Sequence, residues 1–593
     1  MTEPYDDEAL GRDYDPKLMG RFLRYVRPYS ASIVLALLLM AARIACELTG
    51  PLIFWKAVDG PLVSRDLPGL SRYGVYFLLA VAGTGLFEFL YSWTTSRVGQ
   101  DIILDLRMEL FAHLQKLSVS FFDRNPVGRL IVRVTGDIEN LNELFTSGLV
   151  EFAADLLMLF SVVGMMVYTN WKLALVTMSV TPFIFGATFF FRTVARKRYR
   201  EMRVRIARLN SYLNESISGM RTIQTFGREQ QCLERFRTRN RDHRDSATAA
   251  VFAYSLFYPG IECLFSLSVA LLVWVGGQGI LDGTLTFGAF MAFWYYVHKF
   301  SMPIREIAEK YNILQAAMAS SERVFTILDT PVDVADRSDA VPAPPLRGEV
   351  EFDHVWFSYD GKTPVLEDLS FRIEPGRSLA IVGITGAGKS TIINLLLRFY
   401  DPVRGSVKID GRDLRDYDIR SLRRRLGLVL QDVFLFAGTV EDNIRLGERS
   451  FDRARVEDAA RAVNADRFIG RLPKGLETDV LERGAALSTG ERQLLSFARA
   501  LAFDPRILVL DEATSSVDGQ TEQLIQDGLS TLMKGRTSLV IAHRLSTIQH
   551  ADRILVVHRG RIREQGTHAE LVAQDGLYRK LYRLQRASAG AVS

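Results

Sequence analysis

The string Gly383-Ile384-Thr385-Gly386-Ala387-Gly388-Lys389-Ser390, followed by Thr391, has the spacing G-x-x-x-x-G-K-[ST] of a loop that cradles nucleotide phosphates. Glycines let the backbone bend so that successive N–H groups face phosphate oxygens, and a helix starting at the end of the loop adds its partial positive charge. Lys389 supplies a point charge for the β- and γ-phosphates, and the Ser390 hydroxyl is a ligand for Mg²⁺. Downstream, the run Ile507-Leu508-Val509-Leu510 ends in Asp511 and Glu512. Asp511 is suited to hold Mg²⁺ directly or through water, and Glu512, one residue further on, to polarise an attacking water as general base. Gln431 and His543 each follow an apolar run, Leu426–Leu430 and Ser538–Ala542. Gln431 there can touch Mg²⁺ or the water, and His543 can sense the γ-phosphate.

These groups need a common scaffold. Ser378–Val382 reads as a short buried strand entering the glycine loop, and Ile392, Ile393 and Leu395–Leu397 give the apolar face of the helix leaving it. Parallel sheets gather ligands at the carboxyl ends of their strands, so Lys389, Asp511, Gln431 and His543 are expected along one edge. Glu349–Ser358 alternates like another strand. Before it, DTPVDVADRSDAVPAPPL (329–346) is dense in Pro, Asp and Ala with no apolar period, and reads as a linker. The expected division is a domain over 1–328, a linker over 329–347 and a nucleotide-binding domain over 348–593.

The first domain is of another kind. A membrane-spanning helix needs about 20 mostly apolar residues, and candidates lie at Ser32–Trp55, Tyr73–Thr95, Leu149–Thr169, Leu173–Phe191, Phe252–Gly276 and Leu285–Met302. The connections after the second and fourth spans are long and rich in Arg and Lys, whereas Asn170–Lys172 and Gly277–Thr284 are short and nearly uncharged. The positive-inside bias puts the basic connections, and with six spans both termini, in the cytoplasm. Those connections keep helical period, as in Ile206, Leu209, Leu213 and Ile217, so the spans are expected to continue as helices beyond the membrane. Ionisable residues inside the spans, among them Arg43, Glu47, Glu88, Glu151, Asp155, Glu262 and His298, must face a bundle interior or cavity. For Arg43 and Glu47, four apart, a mutually neutralising pair and a substrate contact both fit; Glu151 and Asp155 are like-charged and fit a water-solvated interface.

Composition agrees with this division. The 593 residues are too many for one domain, and 48% hydrophobic with 24% charged residues excludes a disordered or collagen-like chain. A net charge of +5 is too slight to argue for nucleic acid as a partner. Cys46, Cys232 and Cys263 are far apart, without disulfide or zinc spacing. The acidic stretch from Met1 to Pro16 has no basic segment followed by an apolar core, so no cleavable signal peptide is expected.

Taken together, the chain resembles an ATP-binding cassette exporter half-transporter: a six-helix transmembrane bundle with long cytoplasmic extensions, followed by an α/β P-loop ATPase. By this resemblance Tyr359 stacks on adenine, Gln431 and His543 belong to the Q- and H-loops, Asp518 in Ser515–Asp518 to the D-loop, and Glu482-Arg483-Gly484 is the short exporter motif. Phe121-Phe122-Asp123 with Gly128 and Asp137, and Gly219–Glu229, resemble the two cytoplasmic coupling regions. The usual signature Leu-Ser-Gly-Gly-Gln is here Leu487-Ser488-Thr489-Gly490-Glu491; in the family its serine and backbone grip the γ-phosphate of ATP held by the opposite subunit, and Ser488 and Gly490 remain for that contact. Either a tolerated variant in a homodimer or a heterodimer with one weakened site follows. The resemblance implies ATP and Mg²⁺ as cofactors and an obligate pairing with a second half-transporter chain. It also implies a multi-pass location in a bacterial-type inner membrane and export of a drug, lipid or peptide-like compound by alternating access. A nucleotide-gated channel or regulatory membrane protein, and an importer on the same scaffold, are the alternative functions.

Overall fold

The computed structural model describes residues 15–511, 519–542 and 545–590. Glu512, Asp518 and His543 lie outside the described residues. The chain divides into two compact units, one of Met1–Leu114 with Gly128–Asp329, the other of Gln115–Val127 with Thr330–Ser593.

The first unit is helical. After α1 (Pro16–Val26) its long helices are α2 (Ser30–Ala57), α3 (Leu67–Lys116), α4 (Glu151–Met178), α5 (Thr181–Ser218), α6 (Glu229–Leu281) and α7 (Phe287–Leu328). At 1.5 Å per residue, the 50 residues of α3 and 53 of α6 reach about 75–80 Å, far more than a hydrocarbon layer of about 30 Å. The expected continuation of spans into long helices is therefore present.

Among the described residues, four helical stretches are long and apolar enough to cross a membrane: Pro16–Leu62, Leu67–Lys116, Val127–Met178 and Glu229–Leu281. They hold the expected first, second, third and fifth spans. Asn170 leaves helical geometry at φ −163°, and its side chain accepts from the Leu173 amide at 3.0 Å to start the next turn, where a short connection was expected. The expected fourth span, 173–191, is interrupted at Ser179–Val180, and its apolar part from Thr181 to Phe191 forms the first turns of α5. The sixth lies within α7.

Helices α5 and α6 pack along each other, and α7 packs on α2 and α4. Charges within this unit are neutralised by ion pairs, most of them between helices. Arg43 reaches Glu88 at 3.0 Å and Glu47 at 3.7 Å, Glu47 also binds Lys299, and Glu151 binds Lys310. Asp137, 4% exposed, accepts from Ser320 at 3.0 Å and pairs with Arg133 and Arg323.

The second unit carries two sheets. Strands β1 (Val350–Phe357), β2 (Leu366–Ile373), β4 (Arg404–Ile409) and β5 (Arg412–Asp413) form an antiparallel sheet in the order β2-β1-β4-β5. Strands β3 (Ser378–Val382), β6 (Leu426–Val429), β7 (Ile507–Asp511), β8 (Thr537–Ile541), β9 (Arg553–His558) and β10 (Arg561–Gly566) form the order β10-β9-β3-β8-β7-β6, parallel except for β10. Leu379–Ile381, Leu508–Leu510 and Leu539–Ile541 are almost fully buried, as continuous apolar runs in a covered parallel sheet should be.

The Pro- and Asp-rich segment after α7 has no regular structure beyond an isolated bridge between Val341 and Tyr417, yet it is strapped down. Asp336 accepts from the Ile419 amide at 2.8 Å, Ser421 accepts from the Ala343 amide at 2.9 Å, and Arg398 donates to the Ala335 carbonyl at 3.0 Å. Short polar side chains here satisfy backbone groups that a helix or strand would otherwise pair.

Candidate nucleotide site

The glycine loop joins β3 to helix α8 (Lys389–Leu396), which gives the strand–loop–helix order a phosphate cradle requires. Gly386 and Gly388 have φ of +81° and +102°, which side chains with a Cβ rarely adopt. At Gly383 a Cβ would stand 2.3 Å from the Val557 carbonyl oxygen on β9, so the loop starts hard against its neighbouring strand. Ile384, Thr385 and Gly386 are exposed at the tip, while Ala387 and Gly388 are buried under it. Ser390 is exposed at the start of α8, beside the amides that carry the helix's partial positive charge.

Lys389 folds over this loop. Its ammonium donates to the carbonyls of Gly383 at 2.8 Å and Ile384 at 3.2 Å, and the residue is only 8% exposed. Burial holds its pKa below the ordinary lysine range, and the Asp511 carboxylate opposes that shift. A desolvated cation held by two backbone carbonyls can exchange them for phosphate oxygens, which neutralise it better than carbonyl dipoles do.

Asp511 ends β7, level with Ile541 on β8, which is itself level with Ile381 on β3. One strand separates β7 from β3, so Asp511 stands about 10 Å in backbone terms from the strand that feeds the loop. Gln431 follows β6 on the far side of β7 and is exposed. β8 ends at Ile541, two residues before His543, at the same edge. Among the described residues no cluster of three or more His, Cys, Asp or Glu side chains forms a ready-made metal site. A hydroxyl from Ser390 and a carboxylate from Asp511 could nonetheless supply the few protein donors that Mg²⁺ takes, its remaining positions going to phosphate and water.

Tyr359 is held at its ring and its hydroxyl. Phe357 and Tyr400 meet the ring edge-on at centroid distances of 4.8 and 5.1 Å. The hydroxyl shares a hydrogen bond of 3.0 Å with Thr391, which is buried on α8, and accepts from Asn394 at 3.3 Å. An aromatic face is thereby fixed to the helix that follows the phosphate loop.

The altered signature is internally consistent. Ser488 caps helix α9 (Thr489–Ala502); its hydroxyl accepts from the Glu491 amide at 3.3 Å, and Glu491 returns the bond by accepting from the Ser488 amide at 2.8 Å. This reciprocal cap favours an acidic side chain, because Glu491 also sits in the positive first turn of the helix. Gly490 is buried, whereas Thr489 is exposed and its hydroxyl accepts from Arg492 at 3.2 Å.

Two features escaped sequence reading. Arg499 on α9 donates to the carbonyls of Asn443 at 2.8 Å and Phe434 at 3.1 Å and to the Asn443 side chain at 3.1 Å, and burial pushes its pKa down to about 10. It ties α9 to Phe434 in the loop after Gln431 and to the short helix Val440–Arg445. A cation on the apolar face of α9, four residues after Leu495, was the available signal.

The other feature is the fastening of Gln115–Val127, the segment that holds the expected coupling residues Phe121–Asp123, within the second unit. The segment's short helix Val119–Arg124 carries Asp123, which accepts from the Tyr400 hydroxyl at 2.5 Å, and Arg124, which donates to the Tyr359 carbonyl at 3.3 Å. Ser118 accepts from the Val334 amide at 2.9 Å and Ser120 donates to Asp333 at 2.8 Å. Burial and the Asp123 carboxylate both push the Tyr400 hydroxyl pKa up. The second expected coupling region, Gly219–Glu229, holds the short helix Met220–Thr225, between α5 and α6.

Comparison with known proteins agrees with both halves. Residues 33–304 match the ABC transporter transmembrane region and residues 366–515 match the family described as ABC transporter. The chain is 40% identical to an uncharacterized ABC transporter ATP-binding protein, YknV, of Bacillus subtilis, over 98% of this chain and 97% of that one. It is 37% identical to an ATP-dependent lipid A-core flippase of Syntrophus aciditrophicus, over 96% of this chain and 94% of the relative. The solved structure of a bacterial Atm1-family ABC exporter with ATP bound superimposes with a TM-score of 0.76 at 32% identity, covering 94% of this chain and 98% of that one.

Proposed function

Because the chain belongs to the ATP-binding cassette exporters, we propose that it is one half of a dimeric pump that uses ATP to move hydrophobic or amphipathic compounds out across a membrane. The observation that carries this reading is the desolvated Lys389 on the Gly383 and Ile384 carbonyls, at the same sheet edge as Asp511, in a chain whose helices are long enough to cross a bilayer and continue beyond it.

In this reading Gly383, Thr385, Gly386, Ala387, Gly388 and Lys389 wrap the phosphates through backbone amides and the ammonium, and Tyr359 stacks on the base. Ser390, Asp511 and Gln431 would hold Mg²⁺, which when bound neutralises charge developing on the phosphates. Glu512 draws a proton from the attacking water, with His543 and Gln431 orienting the γ-phosphate and the water. Ser488 and Gly490 close on the nucleotide of the second chain, and Asp518 lies along the same seam. ATP, gripped from both sides, favours the closed dimer by its differential affinity, and hydrolysis removes that bias.

The reciprocal cap at Ser488 and Glu491 and the exposed Thr489 support a working signature, and hence a homodimer. The dimer is placed in a bacterial inner membrane with both termini and the ATPase domain in the cytoplasm. The lipid A-core flippase among its relatives favours a lipid-like cargo.

The test uses full-length protein in vesicles. Glu512→Gln abolishes turnover while ATP still binds, and Lys389→Ala weakens binding of a fluorescent ATP analogue. ATP-dependent cargo movement that persists in Glu512→Gln contradicts hydrolysis as the reset, and conductance without uphill movement in the wild type makes the protein a gated channel. Uphill movement in the inward direction makes it an importer.

A further inference from the structure

Tyr359 lies in the loop between β1 and β2, where a polar stretch such as Ser358–Thr363 is ordinarily among the mobile parts of a domain. Here it is held at its backbone, its ring and its hydroxyl. The Val365 amide donates to the Phe357 carbonyl at 2.8 Å and closes the loop at its base. Within the loop, Asp360 accepts from the Thr363 amide at 2.7 Å, the Lys362 amide at 2.8 Å and the Ser358 hydroxyl at 2.8 Å. Those bonds, the two amides first, hold the Asp360 carboxyl well below the ordinary carboxylate range, so the turn keeps its charged acceptor at neutral pH.

The hydroxyl is held from a different element. Its two partners, Thr391 at 3.0 Å and Asn394 at 3.3 Å, both belong to α8. Thr391 is 4% exposed whereas Tyr359 is 38% exposed, so the polar end is gripped inside the domain while part of the residue stays open to a ligand. The same helix begins with Lys389 and Ser390, and Lys389 and Asn394 are about 7.5 Å apart along its axis. One rigid element therefore carries the phosphate cation, the hydroxyl suited to Mg²⁺ and the groups that fix the aromatic ring.

Stacking on a base uses the ring and has no need of the phenolic oxygen; phenylalanine offers the same face. The oxygen is of use to a platform that must stand in place before the nucleotide arrives. A tyrosine free on its loop would lose rotamer freedom when a base settled on it, at a cost of roughly two- to tenfold in affinity. Bonded to α8, it has lost that freedom already.

We propose that Thr391 and Asn394 are positioning residues for the base of the nucleotide: they pin the Tyr359 hydroxyl to α8 and so fix the platform at a set distance from the phosphate loop. The proposal deepens the reading in which Tyr359 stacks on adenine, and rests on it. What the pin adds is confined to the part of the affinity that the base supplies, and inorganic tripolyphosphate carries the phosphates without a base.

The test measures, on full-length protein in nanodiscs with Mg²⁺, how ATP and inorganic tripolyphosphate each displace a fluorescent ATP analogue. Asn394→Leu should lower affinity for ATP about threefold and Tyr359→Phe, which loses both partners, about fivefold, with tripolyphosphate affinity unchanged in each. The double variant should be no weaker than Tyr359→Phe, because Asn394 then has no hydroxyl to hold. If Asn394→Leu does not assemble, Asn394→Ala carries the same test. Unchanged ATP affinity, equal losses for the two ligands, or losses that multiply in the double variant overturn the pin. Tyr359→Leu separates this from the stacking itself: it should lower ATP affinity more than tenfold and spare tripolyphosphate. If Tyr359→Leu leaves ATP affinity intact, the stacking reading fails and the pin with it; if only Tyr359→Leu lowers it, stacking stands and the pin falls.

Discussion

Tyr400→Phe isolates the link between the Gln115–Val127 segment and the nucleotide domain. The phenyl ring keeps its edge-on contacts with Phe357 at 5.5 Å and Tyr359 at 5.1 Å and loses only the hydroxyl that donates to Asp123. A hydrogen bond to a charged group contributes about 1.5–3 kcal/mol. Asp123 is exposed, so water replaces part of what is lost, and the lower figure, about 1.5 kcal/mol, applies. Hydrogen exchange on full-length protein in nanodiscs reads this directly: amides of Gln115–Val127 should exchange roughly tenfold faster. Asp123→Ala should give a similar acceleration. The double variant should match either single one rather than their product, a coupling of about 1.5 kcal/mol. Effects that add to within about 0.5 kcal/mol would refute a direct bond as the fastening.

Other outcomes follow from the same geometry. Arg499→Leu orphans the acceptors at Asn443 and Phe434 and should cost about 2–4 kcal/mol, lowering the melting temperature of the nucleotide domain by roughly 5–15 °C. Ser488→Ala should cost about 1 kcal/mol and depress ATPase activity, whereas Glu491→Gln, whose amide oxygen still accepts from Ser488, should change the melting temperature little. Lys389 has its pKa lowered from 10.5 by burial, so its charged form bears a cost in the folded, nucleotide-free protein that is relieved as pH rises through the folded value. Affinity for a fluorescent ATP analogue should thus start to fall at a pH below the ordinary lysine value. Lys389→Met should stabilise the nucleotide-free protein near neutral pH even as it weakens binding.

The parts legible in sequence were those encoded locally. Ser378–Val382 and Ile507–Asp511 are buried apolar runs punctuated by glycine or acid, and both strands lie where the pattern puts them. The Asn170 turn announces itself by a polar pair between apolar runs. What sequence left open depends on partners distant in the chain. Lys299 and Lys310 neutralise Glu47 and Glu151 from 252 and 159 residues away, and nothing in either local pattern pairs them. The Asp-rich segment after α7 reads as a linker, and its fastening was not legible: Asp336 accepts from the Ile419 amide, the Ala343 amide donates to Ser421, and Val341 exchanges backbone bonds with Asp416 and Asp418. Glu491 looked like a misplaced anion in the signature; the helix cap that accommodates it becomes visible only once α9 is known to start at Thr489.

The central claim is that two chains must clamp ATP together for either to work. ATPase activity of vesicles reconstituted from wild-type chains mixed with a growing fraction of Lys389→Ala chains measures it most directly. Because the closed dimer needs ATP at both seams, a mixed pair with one Lys389→Ala chain is inactive, so activity falls as the square of the wild-type fraction and an equal mixture retains about a quarter of the rate. A linear fall, with half the rate retained, would mean that chains or seams work singly, and the account would be wrong.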